Sequence, residues 1–242
     1  MPSMPAPPVA LVFGARNSGA AIAADRLAAG WRVLAVARGE ETLERLRARL
    51  PNVETMRADA GAPGDVQAAI DRAERVLGGL DLIVNATSAV PRDQPFGGGP
   101  LAEAPDGRLE QWLSGFVPAA DRILRLGARA LARRGGGTLV QLTGGSARRG
   151  IPGRGAWAAA QFAVRGLVQA LAQEMRPRGV HVALLVVDGT IQTDRAPLAS
   201  RPPEESVHPD DVARAVAYLA AQSPRGWTHE LTITPAGEAW VP

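Results

Sequence analysis

Short apolar runs alternate with helical stretches along almost the whole chain, and this alternation constrains the fold more than any other feature. The apolar runs fall at 9–13, 32–37, 53–57, 82–85, 138–142, 181–187 and 230–234. Between them, 20–29, 41–50, 65–77, 109–132, 157–174 and 210–221 carry apolar residues at helical spacing, as in Leu43, Leu46 and Leu50. Strands that are apolar throughout are buried on both faces, which calls for a parallel sheet covered by helices on both sides. With no internal repeat, the pattern predicts one α/β domain over residues 1–242, a doubly wound parallel sheet with 1–7 as a flexible lead. Pro118 is expected to bend its helix, and the Gly- and Pro-rich stretch 91–105 reads as a surface loop, as does 190–207. Ligands of such sheets bind at the carboxyl ends of the strands, here the loops after Phe13, Ala37, Arg57, Asn85, Leu142 and Val187.

Composition removes several chemistries. All 27 basic residues are arginine, so the chain has no lysine; it has no cysteine, and its one tyrosine is Tyr218. A Schiff-base lysine, a phosphate-loop lysine, a tyrosine–lysine acid–base pair, a thiolate nucleophile and cysteine-ligated zinc are thereby excluded. His181, His208 and His229 are scattered, and no metal site is expected. A net charge of +3, with arginines spread along helices and few aromatics, gives no nucleic-acid footprint. There is neither an apolar run of about 18 residues nor a charged segment ahead of an apolar one at the start, so a cytoplasmic protein without membrane span or signal peptide is expected.

The first strand runs into Gly14-Ala15-Arg16-Asn17-Ser18-Gly19-Ala20 and then a helix. This segment resembles the TGxxxGxG turn of the short-chain dehydrogenase/reductase family. Gly14 matches the first glycine, Ser18 stands at the second and Ala20 at the third; Gly19 offers partial compensation through a shifted turn. Asp59-Ala60 is similar to the family's adenine-contacting pair, and Asn85-Ala86 to the start of its NNAG segment. Asp188-Gly189-Thr190-Ile191-Gln192-Thr193 is similar to PGxIxT, with Asp188 in place of proline. His208 to Ala213 matches the start of the family's following helix. The resemblance spans roughly residues 8–236 and implies a Rossmann-like fold with NADP(H) as cofactor. Its binding set would be Gly14, Arg16, Asn17, Ser18, Gly19, Arg38, Asp59, Ala60, Asn85 and Thr193. Members that bind NAD usually carry an acidic residue at the position of Ala37; Arg38 beside it suits the 2′-phosphate of NADP. The family's habit of pairing subunits through the helix at 157–171 implies a homodimer or homotetramer.

The family's tyrosine and lysine lie four residues apart on one helix face. Trp157 and Gln161 hold those positions here, Gly144 stands at the family's serine, and Phe116 or Val117 near its asparagine. An indole N–H donates but does not ionise near neutral pH, and a primary amide carries no charge. Carbonyl reduction without a proton donor forgoes about 10²–10⁴-fold in rate. The catalytic candidates are then Asp188, Trp157, Gln161, Thr143 and Ser146. Asp188 is either a general base or a cap on its own turn, Trp157 a wall with one donor, Gln161 a contact for a ribose or a carbonyl, and Thr143 or Ser146 a partner for a substrate oxygen. Arg148, Arg149 and Arg154 flank the cleft, either as a clamp for an anionic substrate or as solvated loop arginines. The favoured expectation is a biosynthetic small-molecule enzyme doing non-redox chemistry: proton transfer, dehydration, isomerisation or cyclisation. One alternative is an NADPH-dependent reductase of an activated alkene or iminium, with water or substrate supplying any proton; another is an inactive NADP-binding or partner subunit.

Overall fold

Every residue of β1 (Val9–Phe13) is buried, and the strand pairs in parallel with β2 (Arg32–Ala37) on one side and β4 (Leu82–Asn85) on the other. The computed structural model describes residues 6–88, 91, 94–193 and 201–238. Between these strands lie α1 (Ser18–Ala28), α2 (Glu40–Arg49), β3 (Glu54–Arg57) and α3 (Asp65–Leu77). Beyond β4 come α4 (Arg108–Arg133), β5 (Gly137–Gly144), α5 (Gly155–Met175), β6 (Val180–Val187), β7 (Thr190–Ile191), β8 (Ser206–Val207), α6 (Pro209–Ala220) and β9 (Glu230–Ile233). The main sheet has the order β3-β2-β1-β4-β5-β6-β9, all pairs parallel, and β7 with β8 forms a separate ribbon. This is the doubly wound sheet the apolar pattern predicts, with the strand order reversing between β1 and β4.

Alternate side chains of β1 point to opposite faces and so enter two different cores. Leu11 and Phe13 pack with Ile70 of α3, Ile123 of α4 and Val164 of α5. Ala10 and Val12 pack with Ile22 of α1, Leu43 of α2 and Val216 of α6. Among the described residues, no helix is long and apolar enough to cross a membrane.

α4 is one helix through Pro118, whose missing N–H leaves the carbonyl of exposed Ser114 open to water. Two expectations are corrected. The 91–105 loop is partly ordered, with 3-10 turns at Phe96–Gly98 and Leu101–Glu103, and Gly97 and Gly98 are buried. β5 continues to Gly144, carrying the chain further toward the site than an end at Leu142. Within the loop at 190–207, residues 194–200 lie outside the described residues.

Candidate functional site

Gly14 ends β1 with φ +89°, and a Cβ there would overlap the carbonyl oxygen of Ala86 just after β4. Only glycine allows that approach, which places the turn at the reversal of strand order. The N–H groups of Gly14 and Ala15 both donate to the Val36 carbonyl, at 2.9 and 3.1 Å. A Cβ on Gly19 would overlap the Gly14 carbonyl oxygen, so the turn closes on itself between these two glycines. Gly19 therefore makes the second close approach, one residue later than an ungapped match to the family turn places it. Ser18 opens α1 and is buried, and its hydroxyl has no hydrogen-bond partner. Asn17 is the one described non-glycine residue with positive φ, 47°, and its Nδ2 donates to the Gln192 carbonyl at 3.1 Å. That bond ties the turn after β1 to the ribbon after β6.

Arg16 and Arg38 are both exposed, at the carboxyl ends of β1 and β2. Arg57 ends β3 in register with Ala37 and donates from Nε to the Arg38 carbonyl at 3.2 Å. It brings a second arginine to the end of β2 beside Arg38, which sequence reasoning missed. Its place as the last residue of a parallel strand was the available signal. A helix N-terminus behind a glycine turn, flanked by guanidinium groups, suits a ligand with phosphate groups.

Other residues of the expected binding set are already bonded within the protein. The Asp59 carboxylate accepts from Gly61 N at 2.9 Å, and the Asp59 N–H donates to Asp65 Oδ2 at 2.7 Å. Ala60 is buried beside it. Asn85 is fully buried; its Nδ2 donates to Gln141 Oε1 at 2.7 Å and its Oδ1 accepts from Thr87 N and Oγ1 at 3.0 and 2.7 Å. Thr193 is half-buried just past the β7 ribbon strand.

At the other end of the cleft, Asp188 follows β6 and is buried. Arg149 grips its carboxylate with two bonds, Nη1 to Oδ2 at 2.6 Å and Nη2 to Oδ1 at 2.9 Å. The hydrogen bond with that carboxylate is the chief cause holding the Arg149 guanidinium above its ordinary pKa. Gly145 lies so close that a Cβ on it would overlap the same carboxylate. Thr143 donates its hydroxyl to the Gln161 side-chain oxygen, and both residues are buried. Ser146 is buried in the 3-10 turn Gly145–Ala147. Trp157 is half-buried with its ring centroid 5.5 Å from Trp112, 5.3 Å from Phe116 and 6.3 Å from Phe96. Trp112 is pinned in turn by Nε1 donating to Gln94 Oε1 at 2.9 Å. The Trp157 N–H has no acceptor among the described residues and is reachable from solvent. Arg148 donates to Thr232 Oγ1 at 3.1 Å. The structure thus brings Thr143 to Gln161 and Asp188 to Arg149, and sets Trp157 in an aromatic cluster.

A family profile described as enoyl-(acyl carrier protein) reductase matches residues 14–237. The chain belongs to the short-chain dehydrogenase/reductase family. It is 26% identical over 244 residues to a farnesol dehydrogenase of Aedes aegypti, covering 95% of this chain and 96% of that protein. A D-threitol dehydrogenase of Mycolicibacterium smegmatis is 30% identical over 237 residues, covering 89% and 86%. Among solved structures, a metagenomic short-chain oxidoreductase in complex with NADP superposes with a TM-score of 0.76 at 25% identity, covering 94% of this chain and 96% of that one.

These names correct the favoured functional expectation. The family's members matched here are dehydrogenases and reductases, so a non-redox proton-transfer, dehydration, isomerisation or cyclisation enzyme is set aside. The physical reason is that the cofactor end and the proton-donor end of such a site are separate structures. Trp157 and Gln161 lie on α5, apart from the strand–turn–helix at Gly14.

Proposed function

We propose that the protein is an NADP(H)-dependent oxidoreductase acting on a small molecule. The observation that carries this reading is the turn between Gly14 and Gly19, where two glycines admit contacts no side chain would allow. The groups around it suit NADP(H): the start of α1 for the pyrophosphate, and Arg38 and Arg57 for an additional phosphate, with no carboxylate at position 37 to repel it. The unpartnered Ser18 hydroxyl at the same helix start is a further donor of the right kind. The NADP complex of the metagenomic relative supports the same choice.

Within that reading the proton is not drawn from a tyrosine–lysine pair. In support, the sequence has no lysine, and its one tyrosine, Tyr218, sits exposed on α6. That helix packs on the opposite face of the sheet from Trp157. When bound, NADPH supplies hydride. The substrates that fit are an iminium, which becomes an amine on taking up hydride alone, and a conjugated alkene, whose enolate takes its proton at carbon from water. Trp157 donates its free N–H to the substrate atom on which negative charge develops, and Phe116 and Trp112 behind it keep water from that side.

Calorimetric titration with NADPH and NADH tests the cofactor assignment. Wild type is expected to bind NADPH more tightly than NADH. Arg38→Glu should lower NADPH affinity by about ten- to a hundredfold while changing NADH binding by less than about threefold. Absence of binding by either nucleotide, or an NADPH affinity indifferent to Arg38→Glu, would overturn it.

A further inference from the structure

The chemistry above makes no use of the glycine run at 97–99. Gly97, Gly98 and Gly99 all have positive φ, 88°, 99° and 79°. A Cβ on Gly97 would lie 2.7 Å from Arg154 Cα, one on Gly98 would lie 2.9 Å from Ala156 Cβ, and Gly99 forms a parallel bridge with Arg154. Glycine alone permits both the conformation and the approach, so this strap is laid directly on the first turn of α5. Leu101 completes the contact by packing over Gly155.

The strap delivers Phe96 to the edge of the aromatic cluster. Phe96 is 53% exposed, with its ring 6.3 Å from that of Trp157, and the Arg154 guanidinium lies 5.2 Å from the Phe96 centroid. Arg154 caps the start of α5, three residues ahead of Trp157, and both side chains meet Phe96. Arg154 is exposed and forms no ion pair among the described residues. An exposed ring, an indole N–H without an acceptor and a cation without a counter-charge among the described residues therefore meet around Phe96. A neutral aliphatic substrate would leave the cation unmatched and gain nothing from the ring faces. A flat π-system engages the rings, and a carboxylate matches the planar fork of the guanidinium.

We propose that the Gly97–Gly99 strap builds a wall of the substrate site that selects a planar, conjugated substrate bearing a carboxylate. The flat body lies against Phe96 and Trp157, and the carboxylate on Arg154. The proposal rests on the functional reading above only for treating this cleft as the substrate site.

The test titrates full-length protein, without nucleotide, with three probes followed by tryptophan fluorescence and calorimetry. Cinnamate carries both features, cinnamyl alcohol lacks the charge, and hexanoate lacks the flat body. Cinnamate is expected to bind about tenfold more tightly than either control. Arg154→Gln should erase its advantage over cinnamyl alcohol, with Arg154→Lys restoring part of it. Phe96→Leu should reduce its advantage over hexanoate by about two- to tenfold. Equal affinity of wild type for the three probes overturns the proposal without recourse to any variant. So does an advantage for cinnamate that persists undiminished in well-folded Arg154→Gln and Phe96→Leu. Because nucleotide is absent, a failure of NADPH to bind would overturn the cofactor assignment and leave this result standing. NADPH binding with no discrimination among the probes would do the reverse.

Discussion

Removing the Asp188 carboxylate isolates a buried ion pair at the junction of the loops after β5 and β6. The Asp188 side chain is 5% exposed and that of Arg149 21%, and the two bonds between them measure 2.6 and 2.9 Å. Deleting one partner of a buried pair costs about 3–5 kcal/mol, mainly because the other charge is left without compensation. Arg149 is partly exposed and also feels the Glu238 carboxylate, so its guanidinium keeps some compensation, which places Asp188→Ala near the low end, about 3 kcal/mol. In a chain of this length each kcal/mol moves the melting temperature by about 2–4 °C, so a fall of about 6–12 °C is expected. Thermal unfolding followed by far-ultraviolet circular dichroism measures it. Arg149→Met alone should cost a comparable amount. The double variant should be more stable than the sum of the two losses predicts, because no charge is then stranded. A fall below about 2 °C for Asp188→Ala, or strictly additive losses, would refute the view that this pair anchors the two loops.

Gly19→Ala places a methyl group on the Gly14 carbonyl oxygen, where backbone cannot yield. It should cost about 1–3 kcal/mol in urea unfolding and remove NADPH binding; wild-type behaviour in both measurements would contradict the turn geometry. His181 is buried, and burial, assisted by the neighbouring His229, holds its pKa below the ordinary 6.5. Unfolding frees it to protonate, so its share of stability is complete above about pH 6.5 and is lost as pH falls from there toward the folded-state value. Melting temperatures between about pH 8 and 5 should show this loss in wild type and a flatter profile in His181→Gln. Phe162 is 44% exposed on α5, the helix through which the family resemblance implies that subunits pair; we propose that this chain self-associates there, and Phe162→Asp should then yield a smaller species by size exclusion with light scattering. A monomeric wild type would contradict that.

The sheet was legible because β1, β4 and β6 are buried along their whole length, which writes each as an unbroken apolar run. The turn at Gly14 was legible for a similar reason, since a strand, a glycine and an alanine-rich helix are adjacent in sequence. What the sequence hid are relations between distant residues. Asp188 and Arg149 are 39 positions apart, and nothing local to Asp188 distinguishes a carboxylate gripped by a guanidinium from one that caps its own turn. Thr143 and Gln161 satisfy one another across a gap of 18 residues. The strap on α5 was concealed because glycine and proline between elements read as loop whether or not the loop packs. In function, Trp157 and Gln161 at the positions matched to the family pair were given too wide a reach. They bear on how a proton is supplied, whereas the names of the relatives speak for hydride chemistry, and some hydride acceptors need no protein acid.

The central claim is that hydride from NADPH reaches a substrate in this cleft without a proton donor from the protein. Incubating the wild-type enzyme with NADPH deuterated at the transferable position, together with a ketone, a conjugated enone and a cyclic iminium, tests it by mass spectrometry of the products. Deuterium should appear at the β-carbon of the saturated product and at the carbon bearing nitrogen in the amine, with the ketone reduced at least about 10²-fold more slowly. Deuterium in none of the three products, or a ketone reduced as fast as the enone, would contradict the account.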